Sequence, residues 1–173
     1  NAFFTRTEAQ YFLLRIFSDE GLLKEALQVG DYLNQTYPDN PVFQRMLARL
    51  LYQSGNYNYL KILCHEILAK IDSGMVGYGP ATERYVTFFL GQYYERQKQD
   101  DEAAKYFQRT VEVSRKLDKL DKGYYHYALI SLGDIAVRNG DEKKAKAYYK
   151  QAKKDAGRKQ QGYKAAKKKL KDL

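Results

Sequence analysis

Apolar residues recur every three or four positions along almost the whole chain, which is the period of an α-helix and not the alternation of a strand. The stretches predict helices over about 6–19, 22–36, 40–54, 56–71, 81–98, 100–118, 121–139, 141–155 and 159–171. Short polar breaks separate them: Asp19-Glu20-Gly21, Pro38-Asp39-Asn40-Pro41, Ser54-Gly55-Asn56, Gln99-Asp100-Asp101 and Asn139-Gly140-Asp141. Several pair a residue that tolerates the left-handed conformation at a helix end with an Asp or Asn able to cap the next helix. The expectation is a string of helical hairpins.

The hairpins align with one another. In the fourth, Leu132-Gly133-Asp134-Ile135-Ala136 leads to Asn139-Gly140-Asp141-Glu142 and then Ala145, Tyr149 and Ala152. In the third, Leu90-Gly91-Gln92-Tyr93-Tyr94 leads to Asp100, Ala103, Phe107 and Thr110. In the second, Leu47-Ala48 and Leu51 lead to Gly55, Tyr57, Leu60, Cys64 and Ile67. In the first, Leu13-Leu14 and Phe17 lead to Gly21, Leu23, Ala26, Gly30, Leu33 and Pro38. Glycine inside a helix costs about 1 kcal/mol relative to alanine. Gly91 and Gly133 are therefore expected where a partner helix comes close, with Ala103 and Ala145 facing them and Phe107 and Tyr149 filling the space beside.

Over about residues 7–157 this pattern resembles the tetratricopeptide repeat family, most clearly in the third and fourth hairpins. The first two diverge, carrying Leu14, Leu33, Leu60 and Ile67 where the family prefers small residues. The resemblance implies an all-α fold: a right-handed α-α superhelix, a solenoid of about four hairpins, in a single domain. Its repeats would span about 7–40, 41–72, 84–118 and 126–157, with a connector at 73–80 and a capping helix at 158–173. Leu14 to Ala48 is 34 residues, but Ala48 to Gly91 is 43 and Gly91 to Gly133 is 42. The first excess falls in Ser73-Gly74-Met75-Val76-Gly77-Tyr78-Gly79-Pro80, and the second predicts about two extra helical turns near Val113 to Tyr124.

The family binds partners on the concave face of the first helices. Aligned to that face are Tyr11, Arg15 and Asp19; Arg45, Arg49, Tyr52 and Gln53; Tyr85, Phe88, Gln92, Glu95 and Arg96; and Tyr127, Ile130, Asp134 and Arg138. Arg and Tyr are the types that dominate binding energy when desolvated, and Arg grips a carboxylate at two points. The implied function is a non-catalytic scaffold for a protein or peptide, with acidic groups suited to the groove. One subtype of the family clamps a C-terminal carboxylate with Lys and Asn on a first helix; Tyr11 and Arg15 stand there instead, so that clamp is not expected.

Charge adds a second candidate. The net charge is +9, yet residues 143–173 hold 13 Lys/Arg against 2 Asp/Glu, while the rest holds 17 against 19. Lys164, Lys167, Lys168, Lys169 and Lys171 surround an apolar stripe of Tyr163, Ala166 and Leu170. The plainest expectation is a solvated helix covering the last repeat. The alternative is a basic adaptor contacting nucleic acid or an anionic membrane surface. Tyr163 is the one aromatic residue after Tyr149, which speaks against base stacking.

No chemistry-bearing constellation emerges, so no enzyme, cofactor or metal is expected. Adjacent Cys64 and His65 point about 100° apart on a helix and cannot share a metal. His126 is expected to be structural or groove-lining. Gly74, Gly77 and Gly79 follow no strand and precede no Lys-Ser/Thr, as a phosphate loop would require. Asp100-Asp101-Glu102 opens a helix, where acids favour the dipole. One Cys in the chain excludes an internal disulfide. No apolar run approaches the roughly 20 residues that span a bilayer, so a soluble chain is expected, with bacterial periplasm or cytoplasm both open. Asn1-Ala2 resembles the remnant of a cleaved tag, so these residues are set aside and the chain is expected to be trimmed from a longer one.

Overall fold

The computed structural model describes residues 6–117, 123–156 and 161–173. Among them are nine α-helices and no strand: α1 (Arg6–Asp19), α2 (Leu23–Thr36), α3 (Pro41–Gln53), α4 (Tyr57–Asp72), α5 (Pro80–Arg96), α6 (Asp100–Arg115), α7 (Tyr124–Arg138), α8 (Glu142–Asp155) and α9 (Gln161–Lys171). The chain gathers into two compact units that part between Tyr78 and Gly79, within the expected connector. The first holds α1 to α4 and the second α5 to α9.

Every expected helix is present with its ends shifted by three residues at most. One shift corrects an expectation. The two extra helical turns near Val113 to Tyr124 do not appear among the described residues; 118–122 lie outside them. Helix α6 stops at Arg115, where the N–H groups of Lys116 and Leu117 bond to Val113 and Ser114 carbonyls at 3.1 and 3.2 Å. Such three-residue closures tighten and end a helix.

The turn inside each hairpin is built one way four times. The N–H of Leu22, Asn56, Gln99 and Asp141 reaches back to the carbonyl of Phe17, Leu51, Tyr94 and Ala136, at 2.8–3.0 Å. The residue before each donor has positive φ, as this closure demands. It is Gly in three turns and Lys98, at 58°, in the fourth.

Within unit 2 the expected close approaches are present. A Cβ added to Gly91 would lie 2.7 Å from the ring of Phe107, and one added to Gly133 would lie 2.3 Å from the ring of Tyr149. Ala103, Phe107, Ala145 and Tyr149 are all buried. The Tyr149 hydroxyl donates to Asp134 at 2.5 Å, and the Thr87 and Thr110 hydroxyls meet at 2.8 Å. Helix α9 seats Ala166 and Gly162 in the core, the latter against His126.

Unit 1 is centred on Leu14, Ala26, Leu33, Phe43 and Leu50. Gly30 of α2 stands against Leu14, Leu47 and Leu50, whose methyls would lie 3.5–3.6 Å from an added Cβ. In the second hairpin Ala48, Leu60, Cys64 and Ile67 are buried. The Tyr59 hydroxyl donates to Asp31 at 2.5 Å and ties α4 to α2. Burial, then this bond, pushes the Tyr59 phenol up to about 12.

Candidate peptide-binding faces

Helix α3 is aimed by its first turn. Asn40 accepts from the N–H groups of Val42 and Phe43 at 3.0 and 3.2 Å, and Pro41 takes the first helical position, where its missing N–H costs nothing. Buried Gln44 donates to the Pro38 carbonyl at 2.8 Å and accepts from the Tyr78 hydroxyl at 2.7 Å. Phe43, Leu47, Ala48, Leu50 and Leu51 fill the inner side. The remaining side carries Val42, Arg45, Arg49 and Gln53 exposed, with Tyr52 half-buried. The Tyr52 ring stands edge-on to Tyr57 at 6.0 Å. On α1, Arg15 is exposed, whereas Tyr11 is half-buried with its ring 6.0 Å from that of Phe43. Unit 1 thus presents three exposed guanidiniums beside half-buried Tyr rings.

The corresponding face of unit 2 is arranged differently. Tyr85 and Phe88 are buried, and the Phe88 ring contacts Phe89, Phe107 and Tyr124. Arg138 is held by acids of its own unit, Nε to Asp100 at 2.7 Å and Nη2 to Glu95 at 3.0 Å. The hydrogen bond from Arg138 holds the Asp100 carboxyl below its ordinary value. Asp134 accepts from Tyr149 and from Lys169 of α9, the latter at 2.8 Å. Gln92 and Tyr127 are half-buried and Arg96 is exposed. The buried Gln92 Oε1 has no hydrogen-bond partner among the described residues.

These internal pairs were not visible in the sequence. Arg138 and Asp100 stand 38 positions apart, and only the stacking of α7 on the start of α6 joins them. The Arg109–Glu83 pair, at 2.6 Å, joins α6 to α5 in the same way.

In the basic segment, Lys164, Lys167, Lys168 and Lys171 are exposed, and Lys169 is the one tied to Asp134. A cleft of about 520 Å³ opens beside Lys150, Lys153, Lys154, Ala156, Tyr163 and Leu170, with no acid among the described residues that line it. Among the described residues, no three His, Cys, Asp or Glu side chains gather to hold a metal. No described helix is long and apolar enough to cross a membrane. Cys64 and His126 are buried. Burial pushes the Cys64 thiol up, and burial with nearby Lys61 pushes the His65 imidazole down.

Residues 84–154 match the family model described as tetratricopeptide repeat. No curated protein matches the sequence. In fold, the chain is similar to MamA 41-end from Desulfovibrio magneticus RS-1, at 15% identity over 86% of this chain and 75% of that one, TM-score 0.66. It is similar to the nearly identical TPR-like repeats of a Podosopora anserina putative kinesin light chain, at 17% identity, 95% and 83% coverage and TM-score 0.69. Pseudomonas aeruginosa PilF aligns at 18% identity, 96% and 70% coverage and TM-score 0.69.

Proposed function

We propose that this chain, whose residues 84–154 match the tetratricopeptide-repeat model, is a protein-interaction scaffold that binds an acidic peptide segment on the exposed face of α1 and α3. The observation that supports this reading is the exposure of Arg15, Arg45 and Arg49 beside half-buried Tyr11 and Tyr52. A carboxylate accepts two parallel bonds from a guanidinium, while the Tyr rings offer rigid apolar area at little entropic cost. Gln53 adds an amide that can bond a peptide backbone. In unit 2, Gln92, Arg96 and Tyr127 are the residues offered to a ligand. Tyr85 and Phe88 shape that face from beneath, and Arg138 is occupied by Asp100 and Glu95. Binding here requires no catalytic group.

The test is a peptide array with acidic, neutral and basic members, probed with the purified protein and with Arg45→Glu/Arg49→Glu. Acidic peptides are expected to bind and to lose at least about tenfold in affinity on the double reversal. Peptides that bind both proteins equally would remove α3 from the site.

A second reading is supported by the cleft beside Lys150, Lys153 and Lys154 and by the four exposed lysines of α9. In it, this end contacts nucleic acid or an anionic membrane surface. It predicts steeply salt-dependent binding to DNA or anionic vesicles, weakened by Lys164→Glu/Lys167→Glu/Lys168→Glu. No binding at low salt would eliminate it.

A further inference from the structure

Charge and apolar surface meet in one place at the basic end. Helix α8 carries six Lys and α9 five, with no Arg in either. To the cleft of about 520 Å³, α8 supplies Lys150, Lys153 and Lys154, and α9 supplies Tyr163 and Leu170. The Lys153 ammonium stands 5.7 Å from the centre of the Tyr163 ring, so a cation–π contact joins the two sides. The nearby acids are engaged elsewhere. Asp155 accepts from the Tyr125 hydroxyl of α7 at 2.7 Å, and Asp134 accepts from Lys169 at 2.8 Å. At 100° per residue, Tyr163 and Leu170 lie about 20° apart on α9. On the side away from buried Ala166, Lys167 and Lys171 follow at about 60° and 100° from Leu170, and Lys168 lies at about 160°. Ammonium groups from both helices therefore border one apolar strip.

We propose, resting on the second reading above, that the partner of this end is an anionic phospholipid surface. A headgroup phosphate sits among Lys150, Lys153 and Lys154, and the adjoining aliphatic carbons lie against Tyr163 and Leu170. A bilayer interface presents phosphate and aliphatic carbon close together, and Tyr and Leu side chains settle there. A nucleic-acid duplex presents phosphate and sugar outward, so the apolar strip would gain nothing from it. A single strand needs an open ring to stack on, and Tyr163 is half-buried with Lys153 over its face. Two-point grip of phosphate and of base edges falls to Arg, which both helices lack. Lys acts as a point charge, which is what a fluid array of headgroups requires.

The attraction of each Lys to such a surface decays within a Debye length, about 8 Å at physiological salt. A helix with its side chains is about 10–12 Å across. Lys150 and Lys154 at the cleft fall inside that range. Lys168 on the far side of α9 falls outside it, as does Lys144, which lines a separate pocket with Asp101 and Asp141.

The experiment is co-sedimentation of the full 173-residue chain with vesicles of phosphatidylcholine and phosphatidylserine at physiological salt. Pure phosphatidylcholine vesicles and a short DNA duplex form parallel arms. The chain is expected to bind the mixed vesicles, to leave the neutral ones in suspension without it, and to bind the duplex more weakly. Lys150→Glu/Lys154→Glu weakens vesicle binding at least about tenfold. Lys144→Glu/Lys168→Glu makes the same change of net charge away from the cleft and weakens it less than about threefold. All four positions are exposed, and unchanged circular dichroism shows that both variants fold. Binding to the duplex but not to the mixed vesicles overturns the choice of partner and leaves the second reading standing. Binding to neither overturns both. Equal losses in the two variants, or equal binding to neutral vesicles, overturn the role of the cleft.

Discussion

In the α5–α6 and α7–α8 hairpins, the first helix supplies the gap and the second the side chain that fills it. Gly91 receives the ring of Phe107, and Gly133 that of Tyr149. In the α1–α2 hairpin the roles are exchanged. Leu14 stands where Gly91 and Gly133 stand, and Gly30 occupies the position aligned with Phe107 and Tyr149. A Leu14 methyl lies 3.6 Å from where the Gly30 Cβ would be. What the hairpins share is the summed volume of two facing positions, and either helix can carry the bulk. Close packing constrains that sum to within about a methylene, while leaving its division free.

The largest test of this comparison is to fill the gaps of unit 2. Gly133→Ala places a methyl 2.3 Å from a ring that Asp134 holds by its hydroxyl. The expected loss is about 2–3 kcal/mol, read as a lower urea midpoint, after a helix-propensity gain of about 1 kcal/mol is offset. Gly91→Ala should lose somewhat less, and Phe107→Leu added to it should recover part of the loss, as coupled sites do. Next in size is Tyr149→Phe, which keeps the ring but removes its bond to Asp134. About 1 kcal/mol should be lost, with Lys169 still satisfying the carboxylate. Gly30→Ala in unit 1 should do the reverse of Gly91→Ala. Its neighbours sit at ordinary contact distance, so stability holds or rises by about 0.5–1 kcal/mol from helix propensity. A loss matching that of Gly91→Ala would refute the exchange of roles.

The smallest expected effect is electrostatic. The folded-state value of Asp100 is depressed by Arg138 from 3.8. Its contribution is therefore present above about pH 4 and lost as pH falls through the folded value. Arg138 is 44% exposed, so solvent screening keeps the contribution under about 1 kcal/mol. Arg138→Gln should return the Asp100 carboxyl titration, followed by NMR, toward the ordinary range and leave neutral-pH stability almost unchanged.

The helices were legible because their period, caps and left-handed turn residues are local. The glycine contacts of unit 2 were legible because an interior glycine is costly enough to need a reason. Two things were not. Leu14 and Gly30, read singly, look like departures from a pattern, and only their contact shows one compensating the other. The aligned groove positions of unit 2 are also decided by distant partners. Tyr85 is buried, and Arg138 is bound by acids 38 and 43 positions away. In α3 the exposed Arg45, Arg49 and Gln53 follow directly from helical period, so the sequence placed that face more securely.

Cys64 is the one cysteine in the chain, fully buried in α4 with its thiol value raised by burial. A thiol can react with a labelling reagent only when water and base reach it. The native protein therefore contains its own clock for the first unit. At low denaturant, the rate at which the thiol is modified measures how often α4 leaves its hairpin, and unit 2, which has no sulfhydryl, stays silent. The cooperativity of the two units can be read from that rate against global unfolding, without changing a single residue.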